Sequence, residues 1–529
     1  MAGPDAQALV CIGDRIIAVG NLSDLQSCYP TACHIPMPGV IAPGFNDAHQ
    51  HLTLSASQCL EVDLSDPELS SMEKVLAALR QRAATTKAGG WVLAVRYDHT
   101  RLDPASQLTR ANLDQVARDM PVLAVHVSAH WGVANTAALE RAGIGAASPD
   151  PPGGSLGRDA DGQLNGIVYE QALFDFAYPA LSKTETIVPL RSEDQRLEGL
   201  KEMQRRFITA GITSVGDAMV GPRELELLQI ARRRDALILR VNALITYPHF
   251  SNMRDAGLKP GFGDQQLRYG GVKVFVDGAV AGGTCAVLDP FEGSDDRGTL
   301  TVNPTELARI VADVHRSGNN LAVHANGDRA IEMLLDVIEA EYAKSPPLPE
   351  QRHRIEHCSL VTPNLVSRIA NARLTVVPFG SYVRFHGRKL LQWYGPERLR
   401  RMFAHRWMLD AGVVVAGSSD YPCGPFEPLL AIQSCVSRQS TEGTVLGPEQ
   451  RISVEEALAL YTVGSAYASG EEAVKGRIAP GYLADLVVLD RDPRACPPSE
   501  IGAISVLETW SGGRRIWPDP ELVTAAPQE

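Results

Sequence analysis

Eight short β-rich runs constrain this chain more than any other feature. They are Val40–Asp47, Ile212–Ala218, Leu239–Thr246, Gly271–Asp277, Asn320–Ala325, His353–His357, Leu374–Phe379 and Val413–Asp420. Helix-like material follows or separates most of them. Glu198–Thr209 and Arg329–Ala343 carry helical apolar spacing, and Ser453–Tyr461 reads as a capped helix after the last run. Strands alternating with helices imply parallel pairing through right-handed crossovers, and eight such units fit a closed (β/α)8 barrel. Metal-type side chains stand at the ends of several runs: His49 and His51 after the first, Lys273 in the fourth, His324, His357 and Asp420 in later ones. A barrel of this kind builds its active site at one mouth, from successive strand ends.

The remaining sequence surrounds that alternation. Ala8–Gly20 reads as a hairpin about a Gly13-Asp14 turn, and Gly476–Asp490 reads as strand, turn, strand. Edge strands need partners, so the two ends are expected to assemble one small β-sandwich, residues 1–40 plus 470–520. About 160 residues separate the first two runs, far beyond a normal connection. That gap has its own helical spacing (Ser71–Thr85, Asn112–Asp119) and β-rich runs (Trp91–Tyr97, Pro121–Val127). The expected fold is therefore α/β: a distorted TIM-like barrel over 41–469, with a large insertion after strand 1, a lid over 60–190. Thr524–Glu529 is expected to fray.

With 529 residues the chain is too long for one simple core, and its formal charge of −12 argues against non-specific nucleic-acid binding. No apolar stretch is long enough to span a bilayer and no basic leader begins the chain, so neither membrane nor signal peptide is expected. Nine cysteines without CxxC pairs fit a cytoplasmic protein better than a disulfide scaffold.

Two residues apart on a strand, His49 and His51 point to one side and can reach one ion. Lys273, among Val272, Val274 and Phe275, is expected to face away from all three. In a barrel interior a bare ammonium is costly, and desolvation would release the neutral amine, which carbon dioxide can convert to an anionic carbamate ligand. The alternative is a lysine paired with Asp277 or Asp217. His324 lies beside a helix start that Asn326 or Asp328 would cap, and for His324 and His357 a core histidine bonded to backbone is the competing reading. Asp420 follows Gly417-Ser418-Ser419, small residues that permit close approach. A carboxylate there can hold an ion, orient its water and accept a proton, with helix capping as the alternative.

The ordered set His49-x-His51, Lys273, His324, His357 and Asp420, with Pro43-Gly44-Phe45, Val323-His324-Ala325-x-Gly327-Asp328-Arg329-Ala330 and Gly417-Ser418-Ser419-Asp420, resembles the amidohydrolase superfamily. The branch it resembles most includes N-substituted formamide deformylase-like enzymes. That resemblance implies one or two zinc-like ions held by His49, His51, His324, His357 and Asp420, with a carboxylated Lys273 bridging where two are present. It implies Asp420 and His324 as catalytic residues and a homodimer. His130, with Asn135, matches a motif of the insert and implies a lid residue facing substrate; His126, Tyr97 and Tyr382 are further candidates for substrate contact.

Two departures bear on substrate. Where the family has an arginine four residues before the insert histidine, this chain has His126. After the fourth run it reads Asp277-Gly278-Ala279-Val280-Ala281-Gly282-Gly283, without the family's arginine. Both remove a fixed cation, so a small, neutral, fairly apolar substrate is expected. The reading that follows is hydrolysis of a non-peptide C–N bond. Esterase or lactonase action uses the same chemistry. A deaminase is disfavoured because Gly327 stands where that class carries a glutamate, and a non-catalytic scaffold because every ligand position is filled.

Overall fold

The computed structural model describes residues 6–102, 107–182 and 185–518; the expected fraying at Thr524–Glu529 lies outside them. Seven parallel strands form one sheet: Phe45–Gln50, Ile212–Val220, Arg240–Thr246, Leu267–Phe275, Leu321–Ala325, Arg354–His357 and Thr375–Val377, each beside the next in chain order. The eighth run closes the ring without becoming a regular strand. Val376 N–H donates to Val414 O and Ala416 N–H to Val376 O on one side; Ala48 N–H donates to Gly417 O and Asp420 N–H to His49 O on the other. Gly417 N–H turns instead to Leu460 O, so the ladder breaks there. A Cβ on Gly417 would lie 2.6 Å from the Tyr461 ring. The small residues before Asp420 thus admit this ring.

Apolar residues at helical spacing cover the outside of the sheet. Leu200, Met203 and Phe207 of helix Glu193–Thr209 and Leu334, Leu335 and Ile338 of helix Asp328–Tyr342 join one buried cluster with Val215, Val241, Val272 and Val323 of the strands. Ser192 and Gln195 form a capping box at the first helix, and Ser453 and Glu456 another at Val454–Ala459.

Several expectations change in detail. The first run divides at Gly44: Val40–Pro43 pairs antiparallel with Leu486–Leu489, while Phe45–Gln50 enters the barrel. Glycine is needed at the division because a Cβ there would lie 2.5 Å from the Thr213 side chain. Only Leu486–Leu489 of the Gly476–Asp490 segment is a strand. It belongs to a four-stranded antiparallel sheet with Val506–Ser511, Arg514–Trp517 and Val40–Pro43. The hairpin Ala8–Ile12/Arg15–Gly20 shares a buried cluster with it through Ile16, Leu486, Val488 and Trp510. Helix Arg110–Asp114 is shorter than the expected Asn112–Asp119 span and begins earlier.

Residues 62–170 contain a separate six-stranded sheet, ordered Val62–Asp63, Val92–Tyr97, Val122–His126, Trp131–Ala134, Leu164–Glu170, Gly154–Arg158. Leu123 and Val125 from this sheet pack in one cluster with Phe174 and with Met219 of the second barrel strand. Among the described residues no helix is long and apolar enough to cross a membrane.

Candidate metal centre

Parallel register brings the strand ends together. Phe275 stands opposite His324, His324 opposite Glu356, and Ala325 opposite His357. One ligand atom from each of His49, His357 and Asp420 lies within 4.8 Å of the others. Asp420 Oδ1 is 3.2 Å from His49 Nε2 and 3.1 Å from His51 Nε2, and Lys273 Nζ is 3.4 Å from His49 Nε2. The His324 ring centroid is 4.6 Å from that of His357. Its Nε2 is engaged by Asn326 Nδ2 at 3.0 Å and faces Gly278 O at 3.1 Å. His51, Lys273, His324, His357 and Asp420 line one small pocket, joined by His130, Phe275 and Cys423.

Backbone strain marks two of these positions. His357 has φ +73° and Asp420 φ +53°, left-handed values that cost L side chains energy. The surrounding structure holds them there. Asp47 accepts Ser419 N–H at 3.1 Å and Ser419 Oγ–H at 2.5 Å, which fixes the turn into Asp420.

Burial dominates the electrostatics of the imidazoles and the lysine around Asp420. Burial pulls His51 down to about 4, and His324 and His357 well below their ordinary value. Burial opposes ionisation of Asp420, but His357, His49 and His51 hold it well below the usual carboxylate range. Burial lowers Lys273 to about 8, against the attraction of Glu356 and Asp420. Lys273 pairs with neither Asp277 nor Asp217. Asp277 accepts the amides of Asn326, Gly327 and Ala286, and Asp217 accepts the Thr53 amide and hydroxyl. Phe275 does not face away from Lys273: strand positions two apart share a side, and Nζ lies 4.6 Å from the ring centroid. Neither Asn326 nor Asp328 caps the helix after His324. Gly327 is its N-cap, and the incoming amides go to Asp277, which comes from the neighbouring strand end.

Two carboxylates escaped the sequence reading. Glu356 accepts a hydrogen bond from His49 Nδ1 and is itself held by Arg354. Burial opposes its charge, but Arg354 and His49 keep it below the usual range. An Arg-x-Glu pair just before His357 was the available signal, since alternate residues on a strand share a face. Glu170 accepts from His130 Nδ1 at 2.7 Å and, against burial, raises the His130 pKa. Forty positions separate these two residues, and nothing local announces the pairing.

Other candidates fall apart from the centre or support it indirectly. Tyr382 O–H reaches Asp420 Oδ2 at 3.3 Å. Tyr97 is buried in the core of the inserted sheet, its hydroxyl accepting from Leu108 N–H at 2.7 Å. His126 stacks on Trp131 and bonds Ser128, outside the pocket, because its strand delivers it to the sheet's far interior. Asn135 caps helix Thr136–Arg141.

The donor chemistry fits a divalent cation. With His49 Nδ1–H given to Glu356, the Nε2 of a neutral ring carries a lone pair and faces a carboxylate oxygen 3.2 Å away. His357 Nδ1 is buried without a partner. Lone pairs gathered about a carboxylate are what a zinc-type ion requires.

A closed parallel barrel with such a cluster at its strand ends defines a hydrolase scaffold, and the comparisons agree. The description of the amidohydrolase family matches residues 39–517. An N-substituted formamide deformylase of Arthrobacter pascens is 31% identical over 520 residues, covering 96% of this chain and 94% of that protein. A crystal structure of an uncharacterized metal-dependent hydrolase from Pyrococcus horikoshii superposes with a TM-score of 0.73 at 24% identity, covering 93% of this chain and 95% of that one. The chain belongs to the amidohydrolase family. It is a hydrolase acting on carbon–nitrogen bonds.

Proposed function

We propose that this enzyme cleaves the C–N bond of a small, neutral N-formyl or N-acyl amine. The observation that carries the reading is the gathering of His49, His357 and Asp420 ligand atoms within 4.8 Å, with His51 and Lys273 at their side. His49, His51, His324, His357 and Asp420 would hold one or two zinc ions, and carboxylated Lys273 would complete a two-ion site. A divalent ion there supplies Lewis acidity and lowers the pKa of water towards neutrality.

The chain's own groups do the rest. Asp420 accepts a proton from the attacking water and delivers it to the leaving nitrogen. Tyr382, 3.3 Å from Oδ2, donates to the same carboxylate and steadies it. Glu356 fixes the His49 tautomer, as an outer carboxylate does for a ligating imidazole. His324 lines the pocket beside His130, with ring centroids 5.2 Å apart. His130, anchored by Glu170, is placed to donate to the substrate carbonyl oxygen. The inserted sheet, read with its flanks as a lid over 60–190, would exclude water during the reaction. The two terminal sheets, residues 1–40 plus 470–520, are read as one β-sandwich. A cytoplasmic homodimer completes the reading.

The test is a panel of N-formyl and N-acyl amines, offered to zinc- or manganese-reconstituted enzyme with Asp420→Asn as control. Hydrolysis that Asp420→Asn abolishes supports the proposal. Clear preference for carboxylate-bearing substrates, or protein that neither binds a transition metal nor turns over any amide, overturns it. Faster cleavage of the matching esters would move the assignment to an esterase.

A further inference from the structure

A second cavity, of about 340 Å³, lies beside the metal pocket and between the barrel and the inserted sheet. Its wall is more apolar than polar: Leu93, Leu123 and Val125 come from the inserted sheet and Val188 from the chain that returns to the barrel, with Gln58, Arg196 and Glu224 among the polar residues. Leu54, Tyr178 and Met219 line both spaces, so three side chains form the partition between them. Glu61 and Arg191, which also line the cavity, neutralise each other at 2.5 Å. The volume is that of a small-molecule site.

Two details of the partition suit a ligand that passes through it. Met219, at the end of the second barrel strand, is unbranched and repacks readily. The Tyr178 hydroxyl is buried with no partner, a polar atom at the junction of an apolar space and a polar one. Such a group normally finds a bond when its site is filled.

We infer that this cavity seats the apolar substituent of the substrate, with Leu54, Tyr178 and Met219 as the gate between substituent and reacting amide. The inference rests on the amide-hydrolase reading only for the nature of the reacting group. It predicts that chain length on one side of the scissile bond sets specificity, and that residues remote from the metal ligands read it.

The test compares N-hexylformamide with N-methylformamide as substrates, and N-hexylmethanesulfonamide with its N-methyl homologue as non-hydrolysable ligands in calorimetry. Wild type and Leu93→Trp are used, with Val188→Phe as a second variant should the first not fold. The hexyl compounds should be preferred by about tenfold or more in both kcat/KM and affinity, since buried methylenes discriminate at that level. Filling the cavity should remove most of that preference. Equal binding of hexyl and methyl sulfonamides by wild type, or a preference unchanged in both variants, overturns the inference. Hexyl-selective binding lost in the variants, with no amide hydrolysed, would keep the cavity assignment and sink the amide-hydrolase reading instead.

Discussion

Among the described residues, two clusters hold histidines and an aspartate close enough to share an ion, and their surroundings set them apart. One is His49, His357 and Asp420 at the barrel mouth; the other is Asp98, His99 and His126 in the inserted sheet. In the second, Lys389 sits 2.6 Å from Asp98, so the carboxylate already has its cation. Ser128 N–H donates to His126 Nδ1, which places the proton of a neutral ring on Nε2 and removes the lone pair an ion would need. At the barrel mouth the partner sits on the same nitrogen but is an acceptor: Glu356 takes His49 Nδ1–H, so the Nε2 of a neutral ring keeps its lone pair. Residue type nominates both clusters, and hydrogen-bond accounting separates them.

The sharpest way to break that contrast is to neutralise each aspartate. Asp420→Asn should lower kcat about 10³-fold while the protein stays folded by circular dichroism, because the proton route is lost. Asp98→Asn should do the reverse. It leaves Lys389 buried and unpaired, a cost of about 3–5 kcal/mol visible in chemical denaturation, with activity per folded molecule little changed. Loss of catalysis in a well-folded Asp98→Asn would make the second cluster part of the chemistry. Metal analysis is a parallel test: His357→Asn should lower bound transition metal, whereas the double substitution His99→Asn with His126→Asn should leave the metal-to-protein ratio as in wild type.

Outer carboxylates give a smaller effect. Glu356→Gln should weaken metal affinity by roughly 10–100-fold, measured by competition with a chelator. Glu170→Gln should lower kcat/KM by about tenfold at unchanged metal content, since its histidine is proposed to contact substrate and stands outside the proposed ligand set. Metal loss in Glu170→Gln would place His130 among the ligands.

How much of this was legible in the sequence follows the distance over which each interaction acts. The barrel strands were readable because apolar runs and helical spacing are local, and Lys273 and Asp420 because polar groups in apolar runs are conspicuous. The division of the first run at Gly44 was hidden, since it depends on Thr213 approaching from another strand. The irregular eighth position depends on Leu460 and Tyr461 in the same way. His126 was nominated for substrate contact from its place four residues before the insert histidine, and Tyr97 from loops expected to surround the site. Their strands, Val122–His126 and Val92–Tyr97, are neighbours in the inserted sheet, and this pairing turns both inward. Glu170 and Asp98 became visible only through partners 40 and 291 positions away, His130 and Lys389.

The finest test of the contrast uses pH. His126 is held neutral, its pKa well below the ordinary 6.5, by burial first and then by Lys389, against the pull of Asp98; His99 and His386 also face it and oppose its charge. An unfolded chain binds that proton near 6.5 and the folded chain resists it, so the unfolded state gains protons first as pH falls. The stability contributed by the neutral ring is therefore complete above 6.5 and is lost progressively below it. Asp98, held low by Lys389 against its burial, stays ionised over the first units of that descent and adds no slope of its own there. His126→Gln should abolish the term. Urea denaturation between pH 7 and 5 should show wild type losing up to about 1.4 kcal/mol per pH unit more than the variant below 6.5. Parallel stability curves would mean that His126 is charged in the folded protein, and with a proton on both nitrogens the hydrogen-bond argument that separates the two clusters would fail.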